Sequence, residues 1–298
     1  MFLTMGIIGT GKVGTALAVL LKERSIPVGA VWNRRSQKAQ EVAALSNSMP
    51  VMEMEEVVDY SDWIWLTVID RALPEVVERL ARYSCRGKIF AHTSGALSSE
   101  ILMPLREAGA RVLSFHPLQT IADWQQAQQN LPGSLVALEG DEEAVEQGME
   151  LARQLGLNPF TIAKEAKALY HGAAVVASNY LVTLAYWAGK WMEAAGIPAA
   201  AANQGLVALM QGALNNIGTY GPIAALTGPI VRGDGPTVYQ HLKAAREQGI
   251  PEMEQDLYRL LGLLTLEIAR ERGLAGEQLI ELNGILKGEV VYGPHNHY

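Results

Sequence analysis

Hydrophobic residues recur along the first half of the chain in two alternating patterns. Short, nearly continuous apolar runs indicate strands buried on both faces, and apolar residues at helical spacing indicate helices. The predicted strands are 3–8, 28–32, 63–69, 88–91, 111–115, 135–138 and 159–161. The predicted helices are 14–22, 36–45, 74–83, 99–108 and 142–155. This alternation predicts an α/β fold with a doubly wound, mostly parallel sheet.

From about residue 163 onward only helical spacing is found. Residues 164–195 predict one long helix, since the segment has no proline and is followed by Gly196 and Pro198. Further helices are predicted over 199–217, 237–248, 253–272 and 277–286. We therefore predict two domains, a sheet domain over 1–163 and an all-helical domain over 164–298.

Composition narrows the class of protein. The 298 residues are 49% hydrophobic and 18% charged, as in ordinary globular chains, and the net charge of −7 argues against a nucleic-acid partner. A single cysteine excludes a disulfide framework within one chain. The apolar stretch 173–188 includes Ser178, Asn179 and Thr183 and is shorter than the ~20 residues of a membrane span. We expect a cytoplasmic protein without a membrane partner.

A glycine-rich turn lies directly between the first predicted strand and helix. In G-x-G-x-x-G, Gly9 makes the tight turn, Gly11 lets the backbone approach a pyrophosphate, and Gly14 lets the helix pack on the strand. The helix N-terminus then favours phosphate. This context predicts a Rossmann dinucleotide site, although the turn alone could exist without a ligand. The predicted pyrophosphate-binding residues are Gly9, Thr10, Gly11, Lys12, Val13 and Gly14.

The end of the second strand indicates which dinucleotide binds. An NAD site usually has an acidic residue there, whereas this chain has Asn33, Arg34, Arg35 and Ser36. Guanidinium groups suit a 2′-phosphate, because they combine charge with paired donors. The sequence therefore predicts NADP, the alternative being two arginines that only solvate a loop.

Other strand ends place polar groups along the same crevice. Thr67, Val68 and Ser94 are expected beside the cofactor, and His92 and His116 are candidates for catalysis. Histidines without partners in the sequence are more often structural. No ligand spacing such as H-x-x-x-H is found, so no metal site is predicted.

The predicted long helix carries a polar stripe. At about 100° per residue, Lys167, His171 and Ser178 share one face, and Asn179 lies about a quarter-turn away. Lys167 or His171 could supply a proton in catalysis, and His116 and Asn179 could bind substrate. Equally, Lys167 could belong to a solvated first turn and His171 to the core.

A loop rich in glycine and proline, "LTGPIVRGDGPTV", separates two of the predicted helices. Arg232 in this loop could bind a substrate carboxylate. It could also form a local pair with Asp234 that only holds the loop.

These segments resemble a known group of proteins. The order of domains is similar to that of the superfamily of pyrroline-5-carboxylate reductase, ketopantoate reductase and the β-hydroxyacid dehydrogenases. The stretches "HTSGALSSEIL", "FHPLQT", "KALYHGAAVVASNYL" and "LTGPIVRGDGPTV" resemble Rossmann-like proteins with a C-terminal domain of unknown function. The resemblance implies NADP binding, a helical domain that forms homodimers, and an active site between the domains. Its dehydrogenases have asparagine four residues after the helix lysine, where this chain has His171.

The leading hypothesis is an NADP-dependent reductase of a small carbonyl or imine compound that bears a carboxylate. One alternative is a non-catalytic protein that senses NADP(H). Another is a helical dimer whose nucleotide only stabilises the fold.

Overall fold

The computed structural model describes residues 3–289, which form two compact units that divide after Asn179. The first unit contains an eight-stranded sheet with the order β3-β2-β1-β4-β5-β6-β7-β8. Its strands are β1 (Met5–Ile8), β2 (Val28–Trp32), β3 (Met49–Pro50), β4 (Trp63–Leu66), β5 (Ile89–His92), β6 (Arg111–Pro117), β7 (Leu135–Gly140) and β8 (Asn158–Thr161). The predicted doubly wound α/β fold is confirmed.

Helices of the first unit cover the sheet. They are α1 (Lys12–Glu23), α2 (Ser36–Ser46), α3 (Glu56–Asp59), α4 (Leu73–Leu80), α5 (Met103–Glu107), α6 (Trp124–Asn130), α7 (Glu142–Gln154) and α8 (Lys167–Ala177), with 3₁₀ turns at Asp70–Ala72, Ser99–Leu102 and Lys164–Ala166. The last strand ends close to the predicted boundary at residue 163, but the compact unit also includes α8.

Strand β4 lies at the centre of the sheet and contributes side chains to two hydrophobic cores, one on each face. Trp63 and Trp65 pack on one face, with Phe115 edge-on to Trp65 at 5.0 Å between ring centroids. Ile64 and Leu66 pack on the other face. Alternate residues of a strand point to opposite faces, so a continuous apolar run fits a strand that is covered on both.

The sheet departs from the predicted one in direction and in detail. β7 runs antiparallel to β6, whereas a purely alternating strand–helix pattern implies parallel crossovers. The sequence pattern also missed β3, α3 and α6. β3 is too short for a periodicity. α6 follows Asp123, whose carboxylate accepts from the Gln126 amide at 2.8 Å and caps the helix.

The predicted single helix over 164–195 is interrupted at Ser178. This residue departs from ideal helical angles, with φ −113° and ψ −62°, and separates α8 from α9 (Asn179–Ala194). Its hydroxyl donates to the Ala174 carbonyl at 2.7 Å. Such a bond back to residue i−4 tends to bend helices, so the serine explains the correction.

The second unit is helical in its described part. After α9 it contains α10 (Ala199–Ala225), α11 (Gly235–Glu247), α12 (Glu252–Glu271) and α13 (Gly276–Lys287). α10 is interrupted at Gly221, with φ 77°, just before Pro222. Val238, Leu266 and Leu282 contribute to the core in which α11, α12 and α13 meet.

One helical stretch is apolar and long enough to cross a membrane. Residues Lys164–Ala194 reach a mean hydropathy of 1.2 in their most apolar window, and none of that window is buried. The apolar stretch 173–188 alone is shorter than a membrane span, but the helical residues around it extend this length. However, Lys167 at its start is buried in the first unit and hydrogen-bonded to the loop after β5 and to strand β6. By length and composition alone, such a helix is weak evidence for a span.

Candidate functional site

The glycine turn after β1 is shaped by close approaches that only glycine allows. Gly9 has φ 107°, and a Cβ there would lie 2.8 Å from the backbone nitrogen of Val68. A Cβ on Gly14 would lie 2.5 Å from Thr67 Oγ1, which donates to the Gly9 carbonyl at 2.6 Å. Thr67 and Val68, at the end of β4, therefore close one side of the turn.

The other side of this turn is open. Among the described residues, no atom outside the adjacent backbone lies within 4 Å of an added Cβ on Gly11. α1 begins at Lys12 without a side-chain cap, and the Thr10 hydroxyl is buried without a hydrogen-bond partner among the described residues. Unpaired amides at a helix start and an orphaned hydroxyl fit a bound phosphate. Val13, in the first turn of α1, is partly buried against the core.

The guanidinium groups of the basic segment after β2 are exposed, and within the described part of the chain they have no hydrogen-bond or ion-pair partner. Asn33 Oδ1 accepts from the Arg35 amide at 2.9 Å and so orders the turn before α2, which begins at Ser36. Within residues 3–289, no hydrogen bond or ion pair engages the guanidinium groups of Arg34 and Arg35. Two free cations at this strand end are available to an anionic ligand.

The loop after β5 is tied to neighbouring strands by Ser94. Its hydroxyl donates to Asp70 Oδ2 at 2.9 Å and accepts from the amides of Ala96 and Leu97. Since the groups around this hydroxyl are already engaged, Ser94 shapes the loop. Asp70 follows β4, so the bond joins the ends of β4 and β5.

His92 is buried at the end of β5, and both of its ring nitrogens are engaged. Nε2 lies 3.1 Å from the Ser98 carbonyl, and Nδ1 accepts from the Ser94 amide at 3.2 Å. Burial lowers the pKa of His92 to about 3, and Lys167 contributes in the same direction. A neutral ring with both nitrogens bonded holds the loop, and its one N–H is already used on the Ser98 carbonyl.

His116 at the end of β6 meets α8. Its Nδ1 lies 3.0 Å from the Tyr170 hydroxyl, and its ring lies edge-on to His171 with centroids 6.0 Å apart. Burial lowers the pKa of His116 to about 4, with Lys167 and then His171 adding to the effect. These three side chains line a cavity of about 680 Å³.

Gly95 leaves room for the two imidazoles. A Cβ there would lie 2.7 Å from His116 Nε2 and closer still to His171 Nδ1, so both nitrogens border one point. His171 Nδ1 is buried and has no hydrogen-bond partner among the described residues. Any side chain at position 95 would therefore collide with both rings.

Lys167 is separated from this cavity. Its side chain is 1% exposed, and Nζ donates to the Ser94 carbonyl at 3.2 Å and to Ser114 Oγ. Burial lowers the pKa of Lys167 to about 8, while Glu139 and Asp70 oppose that effect. The lysine therefore remains mostly charged at neutral pH.

Two further predicted residues are Asn179 and Arg232. Asn179 lines the same cavity, and its Oδ1 accepts from Ser178 at 3.0 Å. Arg232 is exposed in the second unit, close to Asp234. Hydrogen bonds from Thr237 lower the pKa of the Asp234 carboxyl, and the positive charge of Arg232 adds a smaller effect in the same direction. In residues 3–289 no group of three possible metal ligands occurs.

Tyr170 and Ser114 were not among the predicted site residues, and Gly95 was expected only to lie along the crevice. Tyr170 adjoins His171, and Ser114 is a polar residue within an apolar strand two positions before His116. Both positions could have been noticed, but their partners depend on the sheet register and on the docking of α8.

Two domain models match the chain. A Rossmann-like domain covers residues 1–117, and a domain of unknown function, DUF2520, covers residues 134–265. The chain thus combines these two domains, as its sequence segments indicated. No curated protein sequence matches it.

Solved structures share the fold over nearly the whole chain. A protein from Thermotoga maritima is 26% identical, with a TM-score of 0.71, and the match covers 90% of this chain and 99% of that one. A reductive aminase from Aspergillus terreus, solved with NADPH and ethyl-5-oxohexanoate, is 18% identical (TM-score 0.64, 95% and 98% covered). An imine reductase from Bacillus cereus is 20% identical (TM-score 0.57, 95% and 99% covered).

Proposed function

We propose that the protein is an NADPH-dependent reductase of a small carbonyl or imine compound that carries a carboxylate. The observation that carries the proposal is the His116–Tyr170 pair, with His171 beside it. This pair lies at the carboxyl ends of the parallel strands, as does the glycine turn. In open α/β sheets, ligands bind at the carboxyl ends of the strands. The fold is shared with an imine reductase and with a reductive aminase that was solved with NADPH.

The residues of the glycine turn fit a dinucleotide phosphate. Gly11 and the uncapped start of α1 would receive the pyrophosphate, and Arg34 and Arg35 would pair with a 2′-phosphate. Thr67 and Val68 would lie beside the nicotinamide, which supplies a hydride when bound.

A proton must reach the oxygen or nitrogen of the substrate as hydride reaches the carbon. A neutral His116 can donate its Nε2 proton while Nδ1 takes the proton of Tyr170. The substrate atom gains a hydrogen, the ring stays neutral, and the phenolate is reprotonated by water. Neutral imidazoles are known to act in this way beside carbonyl groups.

The carboxylate of the proposed substrate follows from local charge. In the tautomer that carries its proton on Nδ1, His171 can donate to it, and the buried Lys167 ammonium adds one positive charge nearby. Asn179 lines the cavity and could also donate. Arg232 stays a proposed carboxylate ligand, since its guanidinium is exposed.

The test follows NADPH oxidation at 340 nm across a panel of keto acids and of cyclic imines with a carboxylate. We expect turnover in the wild type and a loss of about 10²-fold or more in His116→Gln and Tyr170→Phe. His241 and Tyr258 form a similar pair in the second unit, 2.8 Å apart, so His241→Gln and Tyr258→Phe are matched controls that should keep turnover. Tight NADPH binding without turnover of any compound would favour the sensor instead.

We also propose that two copies pair through the second unit. Large apolar side chains are exposed along its helices, among them Val182 (71%), Leu209 (68%) and Leu264 (66%). Soluble proteins rarely leave such surfaces uncovered, and symmetric pairing covers them on both copies at once. Light scattering should give twice the chain mass. A monomer would contradict the pairing, and co-sedimentation with lipid vesicles would assign the surface to a membrane.

A further inference from the structure

The buried ammonium of Lys167 lies next to the proposed proton donor without reaching the cavity. Resting on the proposed function, we propose that Lys167 is a positioning residue: it fixes the loop after β5 and sets the electrostatic environment of His116, and it does not itself protonate the substrate.

The first step is the geometry of the amine. With 1% of the side chain exposed, Nζ donates to the Ser94 carbonyl and to the Ser114 hydroxyl. Two of its three protons are thus used on the sheet side. A direct proton transfer requires a donor within about 3 Å of the substrate atom, or one water away. A buried and bonded amine does not meet this requirement.

The second step is the sheet register, which surrounds this amine with charged and titratable groups. Ser114 on β6 is paired with His92 on β5 and with Glu139 on β7. His116 is two residues beyond Ser114, so its side chain points to the same face. The ammonium bonded to Ser114 therefore lies among two imidazoles and one carboxylate.

Two carboxylates keep this lysine charged. Glu139 is buried, and it accepts from the Ser99 amide at 2.6 Å and from the Ser99 hydroxyl at 2.7 Å. Asp70 is linked to the lysine through Ser94. Both raise the pKa of Lys167 against the effect of burial. The charge is thus maintained by one carboxylate on β7 and one in the turn after β4.

The consequence falls on His116, which also faces Tyr170 and His171 of α8. A fixed positive charge nearby disfavours a second one on the ring, so His116 stays neutral. Only a neutral ring offers one N–H and one acceptor, as the relay from Tyr170 requires. A protonated ring would have no acceptor for the tyrosine proton.

The experiment compares Lys167→Met with wild type by ¹⁵N NMR of the histidine rings over pH 4–9. Without the cation, we expect the His116 titration midpoint to rise by about one pH unit. Lys164→Met is the matched control, because Lys164 lies on the same turn, is exposed, and pairs with Glu100. It should leave the His116 midpoint unchanged. An unchanged midpoint in Lys167→Met would overturn the proposal.

The pH profile of turnover separates positioning from direct proton donation. In Lys167→Met the loss should be greatest at acidic pH and shrink to within about tenfold of wild type near pH 8, where His116 is neutral again. A loss of 10³-fold or more at every pH would identify Lys167 as the donor and refute the proposal.

Two features keep the test decisive. If Lys167→Met does not fold, the wild-type His116 nitrogens must still show a second inflection near pH 8, where Lys167 loses its proton. Its absence would contradict the coupling. If no compound oxidises NADPH, the proposed function fails, while the NMR result still decides the role of Lys167.

Discussion

A methyl group at position 95 should disturb the proposed donor without removing any polar group. Gly95 lies in the loop after β5, and its backbone is outside the left-handed region, so alanine is compatible with it. The added Cβ would lie 2.7 Å from His116 Nε2 and 2.9 Å from its Cε1, and closer to His171 Nδ1. Both rings must move away from the point that they now border.

The displacement sets the size of the expected effect. Ordinary contact begins at 3.4 Å, so the His116 ring must shift by about 0.7 Å. Misplacement of a reacting group by about 1 Å can lower a rate about 10²-fold, or about 2.7 kcal/mol of transition-state stabilisation. We expect kcat/KM of Gly95→Ala to fall by about that factor. The rings are side-chain ends that can rotate, so unfolding free energy should fall by only about 1 kcal/mol.

The assay measures kcat/KM, the Kd for NADPH and the melting temperature for Gly95→Ala and for Gly172→Ala. Gly172 is in α8 next to His171, but an added Cβ there meets nothing within 4 Å. Its replacement should raise stability by about 1 kcal/mol through helix propensity and keep activity. Full activity in Gly95→Ala would refute the placement of the two imidazoles. An equal loss in both variants would show that the effect is not steric.

Two further predictions concern stability. His92 and His116 have folded pKa values of about 3 and about 4, below the 6.5 of an unfolded histidine, so their contribution is complete above pH 6.5 and is lost as pH falls. The free energy of unfolding, measured with urea, should therefore fall between pH 6.5 and 4.5, by no more than about 2.7 kcal/mol per pH unit for the two groups. A free energy that does not change with pH would contradict these environments. Asp234→Ala should lower the unfolding free energy by about 1 kcal/mol, because Asp234 caps α11 through the Thr237 amide at 3.1 Å; a thermal melt indistinguishable from wild type would refute the capping role.

The strands, the glycine turn and the free arginines could be predicted because each depends on local sequence. An apolar run such as Trp63–Leu66 indicates a buried strand wherever it occurs, and a strand–glycine–helix order dictates its own turn. These features do not require knowledge of what packs against them.

The arrangement of the candidate catalytic residues could not be predicted from the periodicity of the sequence. The helical spacing placed Lys167 and His171 on one face, but it did not predict that the lysine is buried under the loop at Ser94. That outcome depends on the pairing of β5 with β6 and on the docking of α8. The break at Ser178 depends on which carbonyl accepts the hydrogen bond from its hydroxyl.

The central claim is tested most directly by calorimetric titration of the protein with NADPH and, separately, with NADH. We predict that NADPH binds at least about tenfold more tightly, and that Arg34→Ala/Arg35→Ala removes most of this preference, because the two exposed guanidiniums then no longer meet the 2′-phosphate. Equal or tighter binding of NADH would contradict the assignment of the second strand. No binding of either nucleotide would contradict the reductase itself.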